Sequence, residues 1–339
     1  MSCFEDKKLK LAVFDIAAGD GWRVDVDAVR RNAACRLDGL PFENGAVNIG
    51  WACGNAELDI ELDDAKIAVG ENIHLAMRTA TRRIPGDMLK ALCRKKAAEY
   101  MRRNHCDYVG AKAKKEIRAE AEEKLIRHTV PRLRSAWCVI TPKRVYAGVS
   151  GRSETECLIA LFQTTFGIEL GPVLDLESCR CGCCDREFLP NEFMTDLFRR
   201  ADSGCGISVS PRFDFIATDD DRMCIRSLNT GNMAGDSREV QAALIDGKLL
   251  RSVRITVDGE TVGGYEKRDV WSFTIHENLS LSSLSLPEPD ESGFAGRFAE
   301  RLELIDAIIG YLKGMLENFM ERVSGNDYEK VKREWIENR

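Results

Sequence analysis

The chain is poor in histidine, with 4 in 339 residues, and in proline, with 9, and 7% of its residues are aromatic. The four histidines, His74, His105, His128 and His276, show no metal-ligand spacing, which argues against a histidine-built metal centre. His74 and His276 alternate into strand-like runs and are expected to be partly buried. No stretch of about 18 apolar residues occurs, so no helical membrane span is expected. There is no Walker loop, no GxSxG elbow, and no GxGxxG after a strand. Residues 1–10 lack the apolar run of a signal peptide, so a cytoplasmic location is expected.

What is present is charge, distributed unevenly. The net charge is −6, yet residues 82–134 hold 16 Lys or Arg against 7 Asp or Glu, a local +9 that leaves about −15 for the remainder. Such an asymmetry points to one surface meant for a polyanion. A solvated helix usually balances its charges along its faces, which this segment does not do. The arm carries no catalytic signature and reads first as a binding element.

Element signals follow along the chain. Lys10–Asp15 reads as a strand, and Asp27–Cys35 as a short helix capped near Asp25 or Asp27. Ile67–Val69 and Ile73–Arg78 flank a turn at Gly70. Pro85 opens a helix with an apolar stripe through Met88, Leu89, Leu92, Cys93, Ala97, Tyr100 and Met101. A second helix is expected over Ala111–His128, with Ile117, Ala121, Leu125 and His128 marking its apolar face and Pro131 beyond its end. Trp137–Ile140 and Arg144–Val149 predict a hairpin. Ser153–Phe166 predicts a helix capped by Ser153 and ended by Gly167. Further elements are a strand over Pro172–Leu176, a helix over Glu192–Arg200, and strands at Phe213–Thr218 and Met223–Ser227 joined by a turn at Asp219–Asp221. A helix over Ser237–Asp246, strands at Leu249–Val257 and Asp269–Ile275, a proline-containing linker over Leu281–Gly293, a long helix over Phe294–Val323 and a last amphipathic stretch over Tyr328–Ile336 complete the series. Without regular β-α-β alternation, the fold class is α+β.

Thirteen cysteines are present, most of them scattered and expected to be reduced, buried thiols. Four cluster as Cys179, Cys181, Cys183 and Cys184, including one CxxC pair. Four thiolates can hold zinc, but the usual signature has two separated CxxC pairs. Free thiols, redox-sensitive thiols and a structural zinc all remain open for this loop. Elemental analysis of the purified protein decides whether zinc is bound.

The order of elements resembles the bacterial recombination-associated protein RdgC family over nearly the whole chain. The residues that carry the resemblance are the opening KLKLAVFDI, the Gly50-Trp51 step, the run IHLAMRTATRRIPGDMLKALCRKKAAEY, HTVPRLRSAW, NEFMTDLFRRAD, Met223-Cys224-Ile225-Arg226, REVQAALIDGKLLRSVRITVDG and the closing RLELIDAIIGYLKGMLENFMER. The resemblance implies an elongated α+β horseshoe subunit with mixed sheets and a helical arm, pairing into a ring-shaped homodimer. In those terms residues 1–81 and 135–176 form an N-terminal α+β part and 82–134 the basic arm. Residues 177–280 form a second α+β part, and 294–339 the C-terminal helices.

The function implied is sequence-nonspecific binding of duplex DNA, with restraint of RecA-type filaments in recombination and replication and a nucleoid location. Phosphate neutralisation supplies such affinity, and an acidic protein can bind DNA when its cations line one surface. The candidate DNA-binding residues are Arg82, Arg83, Lys90, Arg94, Lys95, Lys112, Lys114, Lys115, Arg132 and Arg134, with Arg226 added because it matches a basic strand end of the family. The family pattern continues after that Arg with Lys-Lys-Gln, where this chain has Ser227-Leu228-Asn229, and Leu133 stands where an aromatic is expected. The arm must therefore supply most phosphate contacts. No catalytic residue and no cofactor is expected. The alternatives are a metal-dependent DNA exonuclease, for which Asp219–Asp221 and Asp63-Asp64 are the carboxylate runs, and an interaction protein whose arm binds an acidic partner.

Overall fold

The computed structural model describes residues 3–19, 21–176, 189–202, 206–217, 220–228, 238–291, 293–324 and 328–337. The cysteine cluster Cys179–Cys184 and Asp219 lie outside them. In the first half of the chain the elements are β1 (Leu9–Ile16), α1 (Val26–Arg31), β2 (Val47–Cys53), α2 (Asp64–Ile67), β3 (Ala68–Val69), β4 (Asn72–Thr81), α3 (Gly86–Asn104), α4 (Ala111–Ile126), β5 (Arg132–Ile140), β6 (Arg144–Ala147) and α5 (Arg152–Phe166). In the second half they are β7 (Leu170–Pro172), α6 (Leu189–Asp202), β8 (Ile207–Ala217), β9 (Asp220–Leu228), α7 (Arg238–Ile245), β10 (Leu249–Asp258), α8 (Gly259–Val262), β11 (Val270–His276), β12 (Leu281–Ser285), α9 (Phe294–Ser324) and α10 (Tyr328–Glu337). This is an α+β chain. Every strand pairing whose register is described is antiparallel, so the mixed sheets expected from the family resemblance give way to antiparallel ladders.

Two compact units are present. The first holds residues 1–24, 68–74 and 138–339. Its strands run in the order β6-β1-β12-β11-β10-β8-β9, with β7 also paired to β1. Alternation makes these strands. In β11, Trp271, Phe273 and Ile275 are buried while Ser272 and Thr274 are less so. Helix α9 repeats apolar residues at three- and four-residue steps, and Phe298, Leu302, Ile305, Ile308, Ile309, Leu312, Leu316 and Phe319 are all buried. Each such side chain contributes about 1.5–3 kcal/mol by leaving water. The Trp271 indole Nε1–H donates to the Leu304 carbonyl at 3.0 Å, which ties α9 to β11. Helix α6 buries the carboxylate of Asp196, which receives Arg199 at 2.9 Å, Arg200 at 3.0 Å and Arg322 of α9 at 2.6 Å.

The second unit holds residues 25–67 and 75–137. Its strands run β2-β4-β5, with Trp51 opposite Met77 and Ile49 opposite Thr79. Asp25 caps α1 through bonds from the Asp27 and Ala28 amides, as its sequence position predicts. Gly50 is required by packing. A Cβ there would stand 2.6 Å from the Ala34 backbone. Beside it Arg78 is buried and donates to the carbonyls of Cys35 and Glu57.

The structure corrects several sequence expectations. Leu281–Ser285 is not linker but strand β12, paired on one side to β1 and on the other to β11. Its serines and the following prolines masked two buried leucines, Leu281 and Leu284. Gly151, not Ser153, occupies the N-cap of α5, and no side chain caps it. Gly167 does end that helix, in the left-handed region at φ 69°. The strand expected over Pro172–Leu176 lies earlier, at Leu170–Pro172. Asp220 and Asp221 belong to β9 rather than to a turn. Helix α3 buries none of its residues, so its apolar stripe is half-covered at most. Cys53 and Cys138 are buried as expected, but Cys35 is exposed.

Candidate nucleic-acid interface

The basic arm lies entirely in the second unit. It is a hairpin of α3 and α4, two helices that pack against each other. Lys96 of α3 meets Glu120 of α4 at 2.6 Å, while Met88 near the start of α3 and Leu125 near the end of α4 line one groove. The helices are therefore antiparallel, and residues 105–110 turn the chain between them. His105 takes the left-handed conformation at φ 48° and its N–H bonds the Met101 carbonyl, closing α3. Ile117, Ala121 and Ile126 give α4 its buried face.

The acids of α4 are largely spent on neighbours. Glu120 pairs with Lys96, Glu122 with Arg118 at 3.0 Å, and Glu123 with Arg127 at 2.9 Å. The Lys96 ammonium holds the Glu120 carboxyl below the usual carboxylate range. Among the described residues, no ion pair is seen for Arg83, Arg94, Lys95, Lys112, Lys114, Lys115, Arg132 or Arg134, and all eight are exposed. Lys90 is also exposed and lies 3.9 Å from Asp87, within the weak range of a surface pair.

Local structure sharpens this pattern at the far end of the hairpin. Lys112 and Lys114 occupy the first turn of α4, which contains no acid, Lys115 stands just beyond it, and the N-cap Gly110 supplies no side-chain cap. Cations at a helix N-terminus oppose the macrodipole and the unsatisfied N–H groups there. The arrangement is unfavourable for the helix alone and suited to an incoming anion. Arg102 and Arg103, in the last turn of α3, sit at the same end.

Two of the eleven candidates differ from the rest. Arg82 is 6% exposed, its guanidinium 4.3 Å from the centroid of the Phe42 ring. It is a packing residue of the unit and offers little charge to solvent. Arg226 lies in β9 opposite Asp214, in the first unit.

Sequence reasoning passed over three features. Arg102 and Arg103 were not chosen, although they share the hairpin end with the three lysines. Tyr108, in the connection between the helices, is 78% exposed, and it stood among turn residues with no pattern to mark it. Arg83, Arg132 and Arg134 line one groove of about 870 Å³ with the start of α3 and the end of α4, a convergence that strand pairing creates. Among the described residues, no group of three or more His, Cys, Asp or Glu is placed to hold a metal ion, and no helix is long and apolar enough to cross a membrane.

Comparison with known proteins returns no matching family model and no matching curated protein.

Proposed function

We propose that this chain is a sequence-nonspecific duplex DNA-binding protein. The observation that carries the reading is the set of exposed arm cations that have no ion pair among the described residues, concentrated on α3, the first five residues of α4 and the start of β5. Phosphate neutralisation with counterion release is the interaction such a surface makes most strongly, and it needs no base reading. The ring-shaped homodimer around DNA, the restraint of RecA-type filaments and the nucleoid location enter the proposal from the resemblance to the RdgC family alone.

Gel shifts with one duplex across a salt series test the binding. With six to ten phosphate contacts, affinity should fall by about 10³–10⁵ between 50 and 200 mM salt. Affinity that is flat across that range would sink the DNA reading. Oligomeric mass measured with and without duplex tests the ring. A monomer under both conditions would remove the ring while leaving DNA binding to be judged by its salt dependence.

A further inference from the structure

The groove at the base of the arm gathers three arginines. Arg83, Arg132 and Arg134 line it, and no carboxylate is among its described lining residues. Asp87, the nearest acid in sequence, is exposed, lies outside the lining and makes a weak surface pair with Lys90 at 3.9 Å. Arg132 and Arg134 are two apart in β5 and both exposed, so they stand on the same face of the strand. Thr79 and Thr81 are likewise two apart on β4 and also line the groove, adding hydroxyls that can donate. Its volume, about 870 Å³, is that of a small-ligand site, with room for a nucleotide. Apolar side chains, Ile84, Met88 and Leu125 among them, complete the wall.

Three guanidiniums with no ion pair among the described residues donate strongly to a phosphate, and they favour a dianionic monoester over a singly charged diester. The apolar wall suits the nucleoside that such a monoester carries. We propose that this groove is a phosphomonoester site, with the phosphate seated among Arg83, Arg132 and Arg134 and the attached nucleoside against Ile84, Met88 and Leu125. The inference rests on the reading of the arm as a phosphate-binding surface. The monoester could be a strand end or a free nucleotide, and the two sources are separable by experiment.

The test uses the full chain and fluorescence anisotropy with a 3′-labelled single strand of ten nucleotides, carrying either a 5′-phosphate or a 5′-hydroxyl. The phosphorylated strand should bind about tenfold more tightly or better. That preference should disappear in the double variant Arg132→Ser/Arg134→Ser, whose fold is checked by circular dichroism. Equal affinity of the two strands for the unmodified protein would overturn the site, as would a preference that survives in the folded double variant. Adenosine monophosphate is then added as competitor. Competition identifies free nucleotide as an occupant, and its absence alongside a 5′-phosphate preference identifies the strand end. Closed circular duplex, which has no ends, is titrated in parallel. Salt-sensitive binding to the circle without any end preference removes this site and leaves the DNA reading standing; no binding to the circle removes the reading itself.

Discussion

Lys96 Nζ lies 2.6 Å from Glu120 Oε2, and among the described residues this is the ion pair that joins α3 to α4. It also withdraws one cation from the arm. Glu120→Gln should free that cation and leave the helices packed, since Ile117, Ala121 and Ile126 hold α4. Duplex affinity should rise, and the slope of log affinity against log salt should steepen by up to about 1. An unchanged slope with tighter binding would mean that the gain is not electrostatic.

Arg82 and the pair Arg94 and Lys95 should separate structure from binding. Arg94→Ala/Lys95→Ala removes two exposed charges and should shallow the salt slope by about 2 with little loss of stability. Arg82→Ala removes a buried guanidinium from over the Phe42 ring. It should cost about 1–2 kcal/mol in urea unfolding and leave the salt slope near its original value.

His74 makes the first unit sensitive to acid. Burial beside Phe4 and Phe298 pushes its imidazole down to about 4, against a partial opposing pull from the Glu5 carboxylate. The unfolded chain takes up this proton near pH 6.5, whereas the folded chain resists it until about pH 4. The contribution to stability is therefore complete above about pH 6.5 and is lost as pH falls toward 4, on the order of 3 kcal/mol over that window. His74→Phe should flatten this part of the profile when urea midpoints are compared at pH 7 and pH 4.5.

Asp196 is the most consequential charge of the first unit. It is 1% exposed and is shared by Arg199, Arg200 and Arg322. Asp196→Ala removes the buried carboxylate that these three guanidiniums share and should destabilise the protein by about 3–5 kcal/mol. The loss should appear in urea unfolding. Because the arm belongs to the other unit, the DNA salt slope of the folded variant should stay as it was.

Much of the fold was legible because local chemistry agrees with the tertiary outcome. The stripe from Phe298 to Phe319 announces α9, Asp25 announces the start of α1, and Pro85 with Pro131 brackets the arm. Strand β12 was not legible. Three of its five residues are serines, and Ser283 adopts a positive φ of 51°, so periodicity fails where the partners β1 and β11 impose the strand. The arm's charge could be read directly, whereas the fate of each cation could not. Arg82 is buried because Phe42, forty residues earlier, is folded against it, and Arg83 joins Arg132 and Arg134 because β4 and β5 are neighbours.

Lys112 and Lys114 in the first turn of α4, with Lys115 just beyond them, carry a thermodynamic consequence. With Gly110 uncapping that end and no acid beside it, part of the free energy of winding the turn is withheld until an anion arrives. Association and completion of the helix then form one equilibrium. Amide hydrogen exchange over residues 111–115 should slow on adding duplex, and substituting Gly110→Asp, which supplies the missing cap, should slow the same amides in the free protein while weakening its hold on DNA.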